Sequence, residues 1–166
     1  MRDNLWFRWA LRYNWGLMRV AIGADHAGFD LKVAIVKEVS KAGHEMVDVG
    51  AHEYDPSDDY PDFAVAVAEA VRHGEAERGI IVCGSGVGAT VAANKLKGVR
   101  ACICHDTYSA RQGVEHDDLN ILCLGGRIVG LSLASELVTA FLDARYRNEE
   151  RFARRLGKVL EAERRG

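Results

Sequence analysis

The residues of this chain with the clearest chemical potential surround Cys83. The run Gly79-Ile80-Ile81-Val82-Cys83 is apolar, then breaks into Gly84-Ser85-Gly86-Val87-Gly88 before helix-forming residues resume. A glycine loop that opens a helix presents backbone N–H groups to an anion, and the helix dipole adds positive potential there. A thiol beside such a loop can act as nucleophile, base or metal ligand, or can simply pack. Other groups capable of chemistry stand at similar junctions: Asp25-His26, Cys104-His105-Asp106, Glu115-His116-Asp117-Asp118 and Arg127 after Gly125-Gly126.

Three chemistries compete for the loop. A cysteine phosphatase needs C-x5-R, so that an arginine balances phosphate charge while the thiolate attacks. Here that position is Ala89. A dinucleotide site fits Gly84-x-Gly86-x-x-Ala89, with Asp106 about the expected ~20 residues further on. That fingerprint gives no reason for Cys83 or His26, and it falls on the third predicted strand. The remaining chemistry is proton transfer, with a thiolate base beside an anion hole acting on a carbon next to a carbonyl. A free thiol, with its pKa near ~8.5, needs stabilisation as thiolate to do this at neutral pH, and the helix start supplies it.

The remaining cysteines, Cys102, Cys104 and Cys123, lie in or beside apolar strand-like runs. Cys102 and Cys104 alternate with Ala101 and Ile103 and are expected to share a strand face. With His105 they would offer three metal ligands, but no C-x-x-C pair occurs, so packing thiols and no metal are expected. Their places in apolar runs, with no secretory leader before them, favour reduced thiols in a cytoplasmic protein over a disulfide framework.

Alternating elements must position these groups. Strands are predicted at 19–25, 44–50, 79–84, 99–104 and 120–126, and helices at 29–43, 62–74, 87–98, 107–117, 130–146 and 148–165. Residues 51–61 read as a polar loop. Continuous apolar strands alternating with helices mean a parallel sheet covered on both faces. The expected fold is a three-layer α/β/α sandwich around a five-stranded parallel, Rossmann-like sheet, in one domain over residues 18–166. Ligands of such sheets sit outside the carboxyl ends of the strands. His116 ends a helix that returns to the opposite edge, so any joint action with Cys83 is expected across a subunit interface.

Composition narrows the classes further. The 166 residues suffice for one substantial core, and the net charge of -2 gives no pull toward nucleic acid or an anionic membrane. Residues 1–17 differ from the rest and hold Trp6, Trp9 and Trp15 among Arg2, Asp3, Arg8 and Arg12. Those charges interrupt any signal-peptide core or membrane span. An interfacial helix is one reading of this segment; an appendage outside the fold is the expected one, since a clean strand begins after Met18.

The stretches RVAIGADHAGFDLK, DDYPDFA, GIIVCGSGVGATVAANK, GVRA, EHDDLNILCLGGRIVG and RFARRLGKV, in this order, resemble the ribose-5-phosphate isomerase B family. That family also includes galactose-6-phosphate and allose-6-phosphate isomerases. The resemblance runs from Met18 to the C-terminus. It implies a cofactor-free, metal-free aldose–ketose isomerase acting on a phosphorylated sugar through an enediolate, with ribose 5-phosphate and ribulose 5-phosphate as the pair. A hexose 6-phosphate isomerase and a nucleotide-binding module are the alternatives. It further implies a homodimer, or a dimer of dimers, with active sites shared between subunits.

By the same resemblance, Cys83 is the proton-abstracting base, His116 the acid that assists ring opening, and Ser85 keeps a loop hydroxyl. Asp25 and His26 contact the substrate, and Gly84, Gly86, Val87 and Gly88 surround the developing enediolate. Arg127, Arg151 and Arg155 bind phosphate, the last two from one helix face. Three positions depart from the family pattern. Ala89 stands where some members carry a glutamate base, which leaves the role to Cys83. Asp117 replaces a common asparagine, so an amide donor is lost and a charge that repels phosphate is gained. Phe152 replaces a histidine between the two arginines.

Overall fold

The computed structural model describes residues 17–166. Five strands form one parallel sheet: β1 (Arg19–Ala24), β2 (Glu45–Asp48), β3 (Arg78–Cys83), β4 (Ala101–Ile103) and β5 (Ile121–Gly125), in the order β2-β1-β3-β5-β4. Six helices cover it: α1 (Phe29–Lys41), α2 (Tyr60–Arg72), α3 (Val87–Ala93), α4 (Thr107–Asp117), α5 (Leu131–Asp143) and α6 (Glu150–Arg165). The three-layer arrangement expected from the alternation is therefore the observed one.

The strand interiors are apolar because successive side chains enter two different cores. Val20, Ile22, Ala24, Ile80, Val82, Leu122 and Leu124 pack beneath α1, α4 and α5. Their alternates Ala21, Ile81, Cys83, Ile121 and Cys123 pack with Ala64, Val67 and Ala68 of α2 and Ala89 and Ala93 of α3. Cys83 thus belongs to the α2–α3 side and closes β3, where it pairs with Gly125.

Several elements are shorter than predicted, and α3 and β4 are so for one reason. Asn94 caps α3 early because its side-chain amide pairs with the backbone of Ala101, donating to the carbonyl (2.8 Å) and accepting from the N–H (2.9 Å). The ladder position that Asn94 fills ends the helix at Ala93 and delays β4 to Ala101. Arg100, predicted inside the strand, instead donates its backbone N–H to Asn120 Oδ1 (2.8 Å).

Two buried cations tie the helices to the sheet. Lys32 of α1 is 2% exposed, and its Nζ donates to both carboxylate oxygens of Asp48 at 2.8 Å and to the Ala51 carbonyl at 2.7 Å. It fastens α1 to the end of β2 and to the start of the loop that runs to α2. Removing one partner of a buried pair costs ~3–5 kcal/mol, and less here because Asp48 keeps contact with water. Arg78 donates its guanidinium to the carbonyls of Phe141 and Ala144 at the end of α5. Burial pulls its pKa down to about 10, so it remains charged at neutral pH.

Candidate active site

The order β2-β1-β3 places chain leaving β1 and chain leaving β3 on opposite faces, and a crevice opens between their carboxyl ends. Here lies a cavity of about 410 Å3 lined by Asp25, His26, Ala27, Tyr60, Cys83, Gly84, Ser85, Gly88, Arg127 and Ile128. Main-chain hydrogen bonds join its walls. The Gly126 N–H donates to the Cys83 carbonyl at 2.7 Å, and the Arg127 N–H to the Gly84 carbonyl at 3.1 Å. The loop after β5 is thereby locked to the glycine loop, and Arg127 enters the cavity from a fixed base.

Cys83 is 4% exposed, and its Sγ accepts the Gly86 N–H at 3.1 Å. Gly86 has φ +85°, a left-handed conformation that costs glycine nothing, and this turns its amide back toward the sulfur. An amide donor holds a charged sulfur more strongly than a neutral one. With only seven residues in α3, this one amide, rather than a long dipole, is the direct contact. Gly88 serves by its size: a Cβ there would lie 2.5 Å from the Tyr60 ring, which takes that space.

On the β1 side, Asp25 is 7% exposed and accepts the Gly28 N–H at 3.1 Å. Burial raises its pKa above the ordinary carboxylate value. His26 is held by Asp58 from the polar loop: one carboxylate oxygen lies 2.7 Å from Nδ1 and accepts the His26 backbone N–H at 2.9 Å. The hydrogen bond to Asp58 raises the His26 pKa above its ordinary value.

The structure brings seven of the predicted site residues to this cavity: Asp25, His26, Cys83, Gly84, Ser85, Gly88 and Arg127. Gly86 lies buried beneath them, while Val87 points outward with 56% exposure. His116, Asp117, Arg151 and Arg155 lie elsewhere. His116 ends α4, its ring stacked on Phe152 of α6 at 4.0 Å and its Nδ1 2.7 Å from Gln112 Nε2. The Arg151 guanidinium lies over the Phe152 ring, 4.4 Å from its centroid, and pairs with Glu149 at 3.5 Å. Asp117 and Arg155 are exposed.

Sequence reading passed over Asp58 and Tyr60. Both fall in a segment whose composition reads as a solvated turn, and Asp58 is one of four acidic residues in EYDPSDD. The proline after Tyr60 was the available signal, since it marks the first turn of a helix and so fixes where the loop must end.

The other thiols stand apart from the cavity. Cys104 is buried in the core beneath α4, while Cys102 is exposed at the sheet edge. A hydrogen bond between them lowers the Cys102 pKa to about 7 and raises that of Cys104. Burial pushes Cys123 up to about 12. Among the described residues, no group of three or more His, Cys, Asp or Glu could hold a metal ion. Asp106, the acidic residue of the dinucleotide fingerprint, caps α4 by accepting the Ser109 N–H at 2.7 Å. No helix among the described residues is long and apolar enough to cross a membrane.

Comparison with known proteins points to one family and one fold. A family model described as Ribose/Galactose Isomerase matches residues 20–159. Ribose-5-phosphate isomerase B of Escherichia coli is 45% identical over 130 residues, which cover 78% of this chain and 87% of that protein. D-erythrulose-4-phosphate isomerase of Pectobacterium atrosepticum is 40% identical over 133 residues, covering 78% and 86%. Among solved structures, ribose-5-phosphate isomerase B of Clostridium thermocellum superposes with a TM-score of 0.86 at 47% identity, covering 89% of this chain and 99% of that one.

Proposed function

We propose that this chain, which belongs to the ribose/galactose isomerase family, interconverts ribose 5-phosphate and ribulose 5-phosphate by proton transfer at Cys83. The observation that carries the reading is the Cys83 thiol, held by the Gly86 amide, in one cavity with Arg127 and His26. Isomerisation of the open-chain aldose removes the proton from C2. The thiolate takes that proton, the C–H electron pair forms the C1–C2 double bond, and negative charge moves to the aldehyde oxygen. The resulting enediolate takes the proton back at C1, while the C2 hydroxyl proton passes to O1. Ala89 leaves no carboxylate in the glycine loop to compete for the base role.

Arg127 would hold phosphate, and binding energy gained at that remote group would position C2 over the sulfur. Asp25 and His26 would contact the sugar from the β1 side. His116, Arg151 and Arg155 enter this reading only through a second copy of the chain. Val87 and Val91 of α3, Tyr108 of α4, Leu131 and Leu133 of α5, and Ile128 at the cavity wall are exposed apolar residues that a second copy would cover. A homodimer built there would add an acid for ring opening and two further cations for phosphate. The reaction needs no redox or metal group, because the transfer of one carbon-bound proton and one hydroxyl proton converts the aldose into the ketose.

Parallel assays with ribose 5-phosphate, allose 6-phosphate, galactose 6-phosphate and erythrulose 4-phosphate test the proposal. The five-carbon substrate should give the highest kcat/KM. The four-carbon substrate is included because relatives of similar identity are named for it. Preference for a hexose or tetrose phosphate would reassign the substrate, and stabilisation by NAD or ATP without turnover of any sugar phosphate would overturn the reaction.

A further inference from the structure

His26 reaches the cavity from the end of β1, but its geometry is set by a residue outside the cavity. A single oxygen of Asp58 engages both the His26 backbone N–H (2.9 Å) and ring Nδ1 (2.7 Å). The other oxygen, Oδ2, is buried and has no hydrogen-bond partner among the described residues. The Asp58 side chain is 10% exposed and that of His26 is 27% exposed. Burying a carboxylate with one oxygen unpartnered is unfavourable unless a positive group faces it, and the group in contact with Asp58 is the His26 ring.

With Nδ1 engaged, Nε2 is the ring nitrogen left for a ligand, and His26 lines the cavity shared by Cys83 and Arg127. We propose that Asp58 is a positioning residue for the isomerisation: it fixes the orientation and proton of His26, so that Nε2 serves the bound sugar phosphate as a hydrogen-bond donor. The proposal rests on the isomerase reading above and adds a residue to it. In metal sites and hydrolase triads alike, a carboxylate on one imidazole nitrogen fixes the tautomer and orients the other nitrogen.

The charges around His26 act in one direction with one exception. Asp58 is the largest influence and favours the imidazolium, and Asp25 at the end of β1 adds to it. Asp55 of the same loop is a further negative neighbour. Arg127, from the loop after β5, opposes them. The Tyr54 ring meets His26 edge-on at 6.3 Å and adds no charge. A phosphate entering beside Arg127 would offset its opposing charge, so substrate and Asp58 favour the same protonation state.

Two variants separate charge from shape. Asn at position 58 can still accept both hydrogen bonds through its amide oxygen but lacks the negative charge, whereas Ala removes both. The first measurement is NMR titration of the His26 ring in the substrate-free protein, with assignment by His26→Asn. Wild type should titrate above the ordinary histidine value and Asp58→Asn clearly below wild type; an unchanged titration would overturn the proposal.

The second measurement is the pH profile of kcat/KM for ribose 5-phosphate. In Asp58→Asn the alkaline limb should move to lower pH, with a loss of roughly tenfold or more at pH 8 and about threefold or less at pH 6, the scale of one charge-assisted hydrogen bond. Asp58→Ala should lose activity at both pH values. A uniform loss across pH in Asp58→Asn, with the profile shape unchanged, would reduce Asp58 to a structural role and overturn the proposal. If wild type turns over no sugar phosphate, the isomerase reading fails by itself, and the titration still decides whether Asp58 controls His26.

Discussion

The carboxyl edge of the sheet and the α4–α6 surface carry similar chemical groups in different states of completion. At the carboxyl edge, Cys83, Asp25, His26 and Arg127 share one cavity, and main-chain bonds fix three of the segments that bear them. At the α4–α6 surface, His116, Arg151 and Arg155 extend from helices, and Arg151 is 58% exposed beside Glu149. The first set needs no further atoms to hold its distances. The second has no opposing wall among the described residues. Under the proposed reaction, the base and one phosphate-holding cation are set by backbone at strand ends, while the ring-opening acid and the further cations would be delivered by a partner surface.

The largest expected effect breaks the first set. Cys83→Ala should lower kcat by ~10²–10⁴, the range of general base catalysis, while substrate still binds. Steady-state kinetics with a thermal-shift binding control would check this. Activity within tenfold of wild type would remove Cys83 from the base role.

The second set should respond differently. Arg151→Ala and Arg155→Ala should each weaken kcat/KM by roughly 10- to 150-fold, the equivalent of ~1.5–3 kcal/mol for a charge-assisted contact. The loss should lie mainly in KM, because phosphate binding is shared by ground and transition states. Arg151→Lys should recover part of it, since lysine keeps the charge without the planar fork. If the two sets meet only across a dimer, mixing Cys83→Ala with Arg151→Ala subunits should restore activity, because one site of each mixed dimer keeps both native residues. No recovery with subunit exchange confirmed would place both sets in the same chain's site.

Much of the first set was legible in the sequence because strand ends and glycine loops are local signals. The apolar run to Cys83, followed by Gly84-Ser85-Gly86, determines both a strand end and a turn, and the parallel sheet then carries Asp25 and Arg127 to the same edge. Asp58 was not legible. Its partner His26 lies 32 residues away, and the contact depends on how the loop after β2 folds back over β1. Lys32 was hidden for a similar reason: at helical spacing it reads as a solvated lysine, but Asp48 and the Ala51 carbonyl lie over it. The early end of α3 was missed because an asparagine that pairs with a strand backbone looks, in sequence, like an ordinary helix residue.

A smaller effect is expected where the cavity wall depends on fit rather than charge. In Gly88→Ala the new Cβ would meet the Tyr60 ring at 2.5 Å, and that ring must swing aside. Tyr60 is 39% exposed, so the ring has room to move and the stability cost should stay below ~1–3 kcal/mol, the range for overpacking a closed core. KM for ribose 5-phosphate should rise several-fold with kcat little changed. Comparing Tm and KM for Gly88→Ala with those for Tyr60→Ala checks this: a KM that rises in the glycine variant alone would rule out displacement of Tyr60 as the cause.

The smallest effect should come from removing residues 1–17. Residues 1–16 lie outside the described residues, and Leu17 is 74% exposed, near the turn at Gly43. The sheet begins at Arg19, whose backbone N–H is held by Glu77 at 2.6 Å, and the Met18 N–H donates to His44 Nδ1 at 3.3 Å. The family match begins at residue 20, and the earliest candidate site residue is Asp25. The truncated chain starting at Met18 keeps every one of these contacts except that the Met18 nitrogen becomes a charged terminus beside His44. Burial already lowers the His44 pKa, so a second positive group there should lower it further. A histidine with a lowered folded-state pKa loses stability as pH falls through its unfolded value near ~6.5. The truncation should therefore match the full chain in kcat/KM and in Tm at pH 8, where His44 is neutral in both folded and unfolded states. At pH 6 its Tm should fall by no more than the ~2–4 °C that 1 kcal/mol produces in a chain of this size. A larger loss at pH 8, in Tm or in kcat/KM, would show that the tryptophan-rich segment supports either the core or the site.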